Sequence, residues 1–454
     1  MSFSPASFAG RKWKADSAAL SLNILPKLLE KVYTPPMATP QQNKIPWGAF
    51  WSLVAIQCMN SLNEKGVQFL LIGLGIWMAT ALQYPLSVLI IVPFVLFSPL
   101  AGWLSDRYCK TRLLQAMVLL QVVVLAVMAL GMWTHRLWLA LLGFAVFSVQ
   151  AMFFSPAKKG LVKDMVGTKN IGFASGILEI TSMLALLVGQ IGALCAIYAL
   201  LCRWGSSAGW EAAALPCTCC MGGAIVVFLL SLSIPRYAPQ SSRPFRVSLL
   251  WEHFSQLKML WNKPVLRNSE VGIGYFWFIA GIMMLIVLQM AAEENPVNDT
   301  GDFMNILAQQ RDSAMLFAWL SGGAILGGLT ASFICAKQIH TWVAKVGGFG
   351  MCIACAAMAF LPFGCPAFFA ALFLSGFMAS GYLVPLNALL QDKADDDKRG
   401  DVIAAGNLVD CFLGIMSVVL QGGMKLAGLS PQWQCGLLAL CSAGVALFIC
   451  RAVK

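Results

Sequence analysis

Strongly apolar stretches recur close to twelve times along the chain, separated by short polar segments. Each has the roughly 20 residues that a helix needs to cross the hydrocarbon of a bilayer. The predicted spans run from Pro46 to Met78, Pro85 to Leu104, Leu113 to Trp133, Leu137 to Phe154, Ile171 to Leu201 and Ala212 to Ile234. A longer break follows at 236–268, where Arg236, Arg243, Arg246, Lys258, Lys263 and Arg267 stand among aromatic and aliphatic residues, the pattern of a segment lying along a membrane surface. Six more spans are predicted at 269–291, 313–336, 343–363, 366–390, 402–424 and 432–450. The expected fold is therefore an all-α membrane protein, with twelve transmembrane helices in two six-helix bundles (46–235 and 269–454) joined by a cytoplasmic linker at 236–268.

Composition adds a limit. Hydrophobic residues make up 59% of the 454 positions and charged ones 11%, with a mean hydropathy of +0.75, which leaves no room for a separate soluble catalytic domain. A net charge of +11 would suggest nucleic acid in a soluble protein, but here the basic residues fall in alternate loops, so no nucleic-acid partner is expected. With the N-terminus inside, 26 of the 31 Lys and Arg lie in cytoplasmic segments; Arg136, Arg203, Arg311 and Lys425 lie outside, and Lys65 sits within the first span. Both termini are thus expected in the cytoplasm. Residues 1–45 carry Arg11, Lys12 and Lys14 ahead of a modestly amphipathic stretch, Ala19 to Val32, expected to form an interfacial helix rather than a signal peptide. The 15 cysteines sit mostly in apolar spans, where Cys behaves as a small hydrophobe. The densest group, Cys217, Cys219 and Cys220, lacks a second CxxC or a His at ligand spacing, so no metal is expected.

The two halves share a pattern. Ser155-Pro156-Ala157-Lys158-Lys159 closes the fourth span, and Ala174-Ser175-Gly176-Ile177-Leu178-Glu179 opens the fifth. Val384-Pro385-Leu386-Asn387 closes the tenth, and Ala404-Ala405-Gly406-Asn407-Leu408-Val409-Asp410 opens the eleventh. Proline to glycine is 20 positions in one half and 21 in the other, and an acid follows each glycine by three or four, as an internal duplication of six helices would leave it.

Between the second and third spans the chain reads Gly102-Trp103-Leu104-Ser105-Asp106-Arg107-Tyr108-Cys109-Lys110-Thr111-Arg112. This loop resembles the signature of the major facilitator superfamily, departing from it at Cys109 and Thr111. The resemblance implies that Asp106 caps a helix or pairs with the neighbouring bundle, with Arg107 beside it. A narrower likeness rests on Ser155 to Leu161, on Val384 to Gln391, on Ser175 to Glu179 and on Phe276-Trp277, which are similar to the corresponding stretches of the bacterial lysophospholipid transporter family. Membership would imply flipping of lysophospholipids from the outer to the inner leaflet of the bacterial inner membrane, where an acyltransferase restores the diacyl lipid. The same likeness places Glu64 at an acidic position and Lys65 at an amide, while a basic position of the family falls on Met284.

Charges inside the spans are candidates on their own account, since an ionisable group in hydrocarbon costs roughly 2.5–3.5 kcal/mol even on insertion scales. Glu64 and Lys65 interrupt the first span near its middle and, with Gln68, are the candidate substrate contacts. A cation there would meet a lipid phosphate and the acid an ammonium headgroup; a structural ion pair with another helix is the other reading. Asp106, Arg107, Lys158, Glu179, Asn387 and Asp410, near the cytoplasmic helix ends, are candidates for gating between bundles, with helix capping or end hydrogen bonding as the alternative. None of His135, His253 and His340 begins an H-x4-D, and neither a GxxxxGK[ST] loop nor an HExxH occurs, so neither an enzyme nor a cofactor is expected. The rival functions are a facilitator for a small drug or metabolite and a membrane enzyme or scaffold that partners an acyltransferase without moving lipid itself. Orientation is directly testable: a cysteine placed at Asp299 should react with an impermeant maleimide on intact spheroplasts and one placed at Lys393 should not, while the opposite pattern would invert the topology.

Overall fold

The computed structural model describes residues 46–237, 257–258, 260–296, 303–335, 338–393 and 399–452. The expected interfacial helix at 19–32 and most of the linker lie outside them. The helices before the linker are α1 (Trp47–Trp77), α2 (Gln83–Arg107), α3 (Lys110–Trp133), α4 (Leu137–Trp204) and α5 (Gly209–Ser231). Those after it are α6 (Pro264–Glu294), α7 (Phe303–Ile334), α8 (Thr341–Phe360), α9 (Pro366–Lys393), α10 (Arg399–Leu426) and α11 (Pro431–Ala452). Among the described residues ten helices are long and apolar enough to cross a membrane, and α2 makes eleven when its two arms, Gln83–Phe97 and Pro99–Ser105, are joined across a 62° bend. The bend falls between Pro93 and the first turn after Pro99, where missing amide hydrogens open the helical ladder. Helix α1 completes the expected twelve: its 31 residues are ample for a crossing, but the polar run from Gln57 to Gln68 lowers its hydropathy.

Helix ends differ from the sequence reading in a consistent way. The fourth and fifth spans, expected to be separated by a loop after Phe154, form one helical segment of 68 residues whose membrane-length parts are Leu137–Val166 and Thr181–Trp204. Pro156 and Pro385 therefore sit inside α4 and α9 rather than at helix ends. Helix α2 continues through Asp106 and Arg107, leaving Tyr108 and Cys109 as the break before α3. Helix α6 starts at Pro264 and α7 at Phe303, five and ten residues before the expected boundaries at 269 and 313. Hydropathy marks where lipid contact stops, whereas the backbone keeps its helical hydrogen bonds into the polar zone beyond.

In the first bundle α1 packs against α4 and α5, and α3 lies against the same two; in the second, α6 packs on α10, α7 on α9, and α8 on α9 and α11. The crossing of α1 and α4 is close because Gly66 meets Gly189. A Cβ on Gly189 would sit 3.0 Å from the Gly66 amide nitrogen and strike the Leu62 carbonyl. Outward faces carry exposed Val123, Leu130, Val188, Leu229, Ile353 and Leu440. Eight exposed tryptophans lie near helix ends, Trp47, Trp51, Trp261 and Trp342 on the linker side and Trp133, Trp138, Trp204 and Trp433 on the other, while Trp277 and Trp319 are exposed mid-helix. Two such aromatic rows flanking an apolar wall are the imprint of the two membrane interfaces.

The start of α3 is fixed by charge. Lys110, 2% exposed, donates to Asp164 of α4 at 2.8 Å. Removing Lys110 takes a charge-assisted hydrogen bond from Asp164, worth about 1.5–3 kcal/mol, whereas replacing both with apolar groups of similar volume is closer to neutral. Lys110→Met should accordingly lower the thermal unfolding midpoint in detergent, and Lys110→Met with Asp164→Leu should recover most of the loss.

Candidate functional site

Helix α1 carries Gln57, Asn60, Ser61, Glu64 and Gln68 at the three- and four-residue spacing of one helical face, with Asn63 and Lys65 alongside. Gln57 Nε2 donates to Ser61 Oγ at 2.9 Å and to Ser182 Oγ of α4 at 2.6 Å. Gln150 of α4 reaches Asn60 Oδ1 at 3.4 Å, and Asn63 Nδ2 reaches the Cys220 carbonyl of α5 at 3.5 Å. Lys65 Nζ donates to Gln68 Oε1 at 2.9 Å, one helical turn further on. Gln68 and Asn63 are fully buried. Glu64 and Lys65 are half-buried, unlike Asn63 and Gln68 beside them.

Lys158 belongs with this group. The sequence reading placed it at a gate, but from α4 it comes close enough, along with Lys65, to act electrostatically on Glu64, while its ammonium lies 6.0 Å from the Phe154 ring centroid. Lys65 and Lys158 thus both act on the one anion, Glu64. On α1 and its neighbour α4, polar atoms of Gln57, Asn63, Gln68 and Gln150 are buried without a hydrogen-bond partner among the described residues, as is Gln121 on α3. A buried amide left unpaired costs about 1–3 kcal/mol, so a ligand or water that meets these groups is favoured. An anion with additional hydrogen-bonding groups suits such a surface.

The remaining candidates are dispersed. Arg107 stacks over Trp103 at 5.5 Å from the ring centroid, and Asn387 is half-buried in α9. Asp106 and Glu179 lie in α2 and α4, with side chains outside the described set. Asp410 of α10 faces Gly274 of α6, and Glu270 of α6 faces Gly406 of α10: a Cβ added to those glycines would lie 3.6 Å from Asp410 Oδ1 and 2.6 Å from Glu270 Oε2. Glu270, Gln121 and Gln150 were missed from the sequence, where each is a single polar residue in or beside an apolar run. Met284 is partly buried against the apolar core, so α6 places no cation at that position.

The two bundles meet from mid-membrane to the end away from the linker. Phe69 of α1 packs edge-on against Phe317 of α7 with centroids 5.0 Å apart, Gln190 of α4 donates to Ser321 of α7 at 3.2 Å, and Gln310 of α7 donates to the Gly73 carbonyl of α1 at 2.7 Å. Tyr84 of α2 donates to Gln421 of α10 at 2.9 Å. Gln421 in turn donates to Gln289 of α6 at 2.7 Å and to Gln434 of α11 at 3.2 Å, and Gln434 donates to Gln289 at 2.9 Å. This amide clasp ties the bundles together at the end away from the linker.

Comparison with known proteins places the chain. The Major Facilitator Superfamily model matches residues 45–418. The lysophospholipid transporter LplT of Klebsiella pneumoniae (strain 342) is 25% identical over 396 residues, covering 82% of this chain and 89% of the relative. The same transporter of Salmonella arizonae is 23% identical over 392 residues, with the same coverage of 82% and 89%. Among solved structures, the Escherichia coli fucose:proton symporter FucP superposes with a TM-score of 0.62 at 14% identity, covering 89% of this chain and 98% of its own. The nucleoside transporter NupG gives 0.61 at 13% identity, covering 89% and 100%.

Loss of the clasp has a measurable consequence. Gln421→Leu combined with Gln310→Leu removes two links between bundles, each worth about 1 kcal/mol net, or roughly 30-fold in the open-to-closed ratio together. Spin labels at Thr80 and Met304, on opposite bundles at the far end, should show a longer separation population in the double variant than in the parent.

Proposed function

The chain belongs to the Major Facilitator Superfamily, and we propose that it carries lysophospholipids across the bacterial inner membrane by alternating access between its two bundles. The observation that carries this reading is the accessible cluster of Glu64, Lys65 and Lys158 at the middle of the first bundle, in a chain that resembles lysophospholipid transporters over 82% of its length. A lysolipid headgroup is a phosphodiester, often with an ammonium group attached. Lys65 and Lys158 supply donors for the phosphate, and Glu64 an acceptor for the ammonium. Lys158 also offers a replacement for the cation that Met284 does not provide.

In this reading the tail, the linker and the C-terminus are cytoplasmic, and the amide clasp closes the periplasmic side, leaving the cavity to open toward the cytoplasm. Asp106, Arg107, Glu179, Asn387 and Asp410 take part in opening and closing the linker side. Rocking of the bundles would then expose the Glu64 cluster to one leaflet at a time. A lysolipid delivered to the inner leaflet is a substrate for re-acylation, so an acyltransferase is the proposed downstream partner.

Lys65→Met and Glu64→Gln test the reading by headgroup. A charge-assisted hydrogen bond is worth about 1.5–3 kcal/mol, so loss of the Lys65 contact should weaken both zwitterionic and anionic lysolipids by roughly 10- to 100-fold. Glu64→Gln should impair lysophosphatidylethanolamine more than lysophosphatidylglycerol. The measurement is headgroup-resolved uptake into proteoliposomes, normalised to folded protein. Normal uptake by both variants would remove the cluster from the mechanism, and absence of lysolipid uptake by the parent protein would remove the substrate.

A further inference from the structure

At the end of the molecule away from the linker, Tyr84 of α2, Gln289 of α6, Gln421 of α10 and Gln434 of α11 form a chain of hydrogen bonds that has a direction. Gln289 is 4% exposed, and Gln421 and Gln434 are fully buried, so each N–H and each oxygen has to be matched within the protein. Gln434 Nε2 donates to the Leu429 carbonyl at 2.8 Å, which fixes the way that amide faces, because a backbone carbonyl only accepts. Gln289 Nε2 donates to Glu293 Oε1 at 2.7 Å, one helical turn further along α6. A carboxylate also only accepts, so Gln289 turns its nitrogen toward Glu293 and its oxygen the other way. That oxygen receives Gln421 at 2.7 Å and Gln434 at 2.9 Å. Gln421, whose nitrogen also reaches Gln434 Oε1 at 3.2 Å, thus commits its N–H groups inside the second bundle and presents only Oε1 to the first. There the Tyr84 hydroxyl donates to it at 2.9 Å.

The Tyr84 ring is held on α10 independently of its hydroxyl. Lys425 Nζ lies 5.9 Å from the ring centroid, and a Cβ added to Gly422 would lie 3.7 Å from Tyr84 Cε1. Where the ring sits and which way the bond runs are therefore separate matters. The direction depends on Glu293, an exposed residue in the last turn of α6. Glu293 borders a cavity of about 250 Å³ together with Met290, Glu294, Phe363, Pro431 and Gln432, so a longer side chain at this position has room. Two residues on, Asn295 Nδ2 donates to Asp312 Oδ2 of α7 at 2.9 Å, a bond that ties the same end of α6 to α7 outside the amide chain.

We propose that Glu293 is a positioning residue for closure between the bundles: its carboxylate sets the direction of the amides, from Gln289 to Gln421, that present an acceptor to Tyr84 on the opposite bundle. The role rests on the reading that the bundles rock apart at this end, and not on which molecule is carried. A donor at position 293 would claim the Gln289 oxygen. Gln289 Nε2 would then face the nitrogens of Gln421 and Gln434, while the Leu429 carbonyl still holds Gln434 in its present sense, so no arrangement matches every group. The contact given up is the one with Tyr84, because it alone in the chain crosses between bundles that can separate. A glutamine at 293 still accepts through its own oxygen and leaves the chain intact. A methionine there strands Gln289 Nε2 but imposes no opposite direction.

Full-length protein grown with ring-deuterated tyrosine reports the bond, since the tyrosine C–O stretch differs between a hydroxyl that donates and one that accepts. The infrared difference between the parent and Tyr84→Phe, which keeps the ring and loses the donor, isolates Tyr84. Its band should stand at the donor position in the parent and in Glu293→Gln, and move away from it in Glu293→Lys, with Glu293→Met between. Asn295→Leu is the control: it loosens the end of α6 from α7 and should leave the band in place. Spin labels at Thr80 and Met304 should show an open-to-closed ratio raised about 10-fold by Glu293→Lys, and no further rise when that change is added to Tyr84→Phe. A band and a ratio in Glu293→Lys identical to the parent's would overturn the proposal. So would Glu293→Gln behaving like Glu293→Lys, which would assign the effect to lost charge, or an equal shift in Asn295→Leu, which would assign it to a loosened helix end. Should Glu293→Lys fail to fold, Glu293→Met decides, and parent-like readings there overturn the proposal. Neither readout needs a substrate. Expected bands with no lysolipid uptake by the parent leave the role of Glu293 standing and remove the substrate; normal uptake with an unmoved band does the reverse.

Discussion

A polar side chain in hydrocarbon must find its partners inside the protein, and α1 carries seven between Gln57 and Gln68. That demand shapes the first bundle. Helices α4 and α5 pack directly against α1 and answer its polar face with Ser182, Gln150 and the Cys220 carbonyl. The approach of α4 is allowed by Gly66 and Gly189. Without that small-residue crossing, Ser182 could not lie 2.6 Å from Gln57, and the polar face would be left without its partner on α4.

The halves are alike in architecture but not in charge. The first holds Glu64 with Lys65 and Lys158 acting on it; the second holds Glu270 and Asp410 on facing helices, each set against a glycine of the other. A duplicated fold places equivalent positions on either side of one cavity, and later substitution can then give each side different chemistry. The Pro156 and Pro385 motifs illustrate the shared part: both lie within helices, at matching places in the two halves. The different part lies a few turns away, in side chains that face the interior and are free of the need to match lipid.

Much of the fold was legible because the bilayer imposes a length and a polarity on every crossing. Glu64 and Lys65 stood out for the same reason, and Asp410 because it follows Gly406 by one turn. Glu270 did not. The span was expected to begin at residue 269, which made Glu270 a charge at headgroup level, whereas α6 begins at Pro264 and puts it almost two turns inside the helix. Gln121 and Gln150 escaped notice because a lone amide in an apolar run has no pattern to show whether it faces lipid, a neighbour or a cavity. Lys158 was assigned to the right region but the wrong neighbours, since its position beside Pro156 reads as a loop only if the helix stops there.

Incomplete pairing also bears on what the cavity is for. A purely structural polar core would pair every amide, because each orphan lowers stability and nothing offsets it. Here polar atoms of Gln57, Asn63, Gln68, Gln121 and Gln150 are unpaired within one bundle, around a charge cluster that is partly accessible, whereas the clasp at the far end pairs Gln289, Gln421 and Gln434 with one another. At the bundle contact the same residue type is mostly paired, with Gln310 Oε1 the exception, whereas beside α1 several amide atoms are unpaired among the described residues. Unpaired amides gathered on the α1 side of the first bundle favour a partner with hydrogen-bonding groups there.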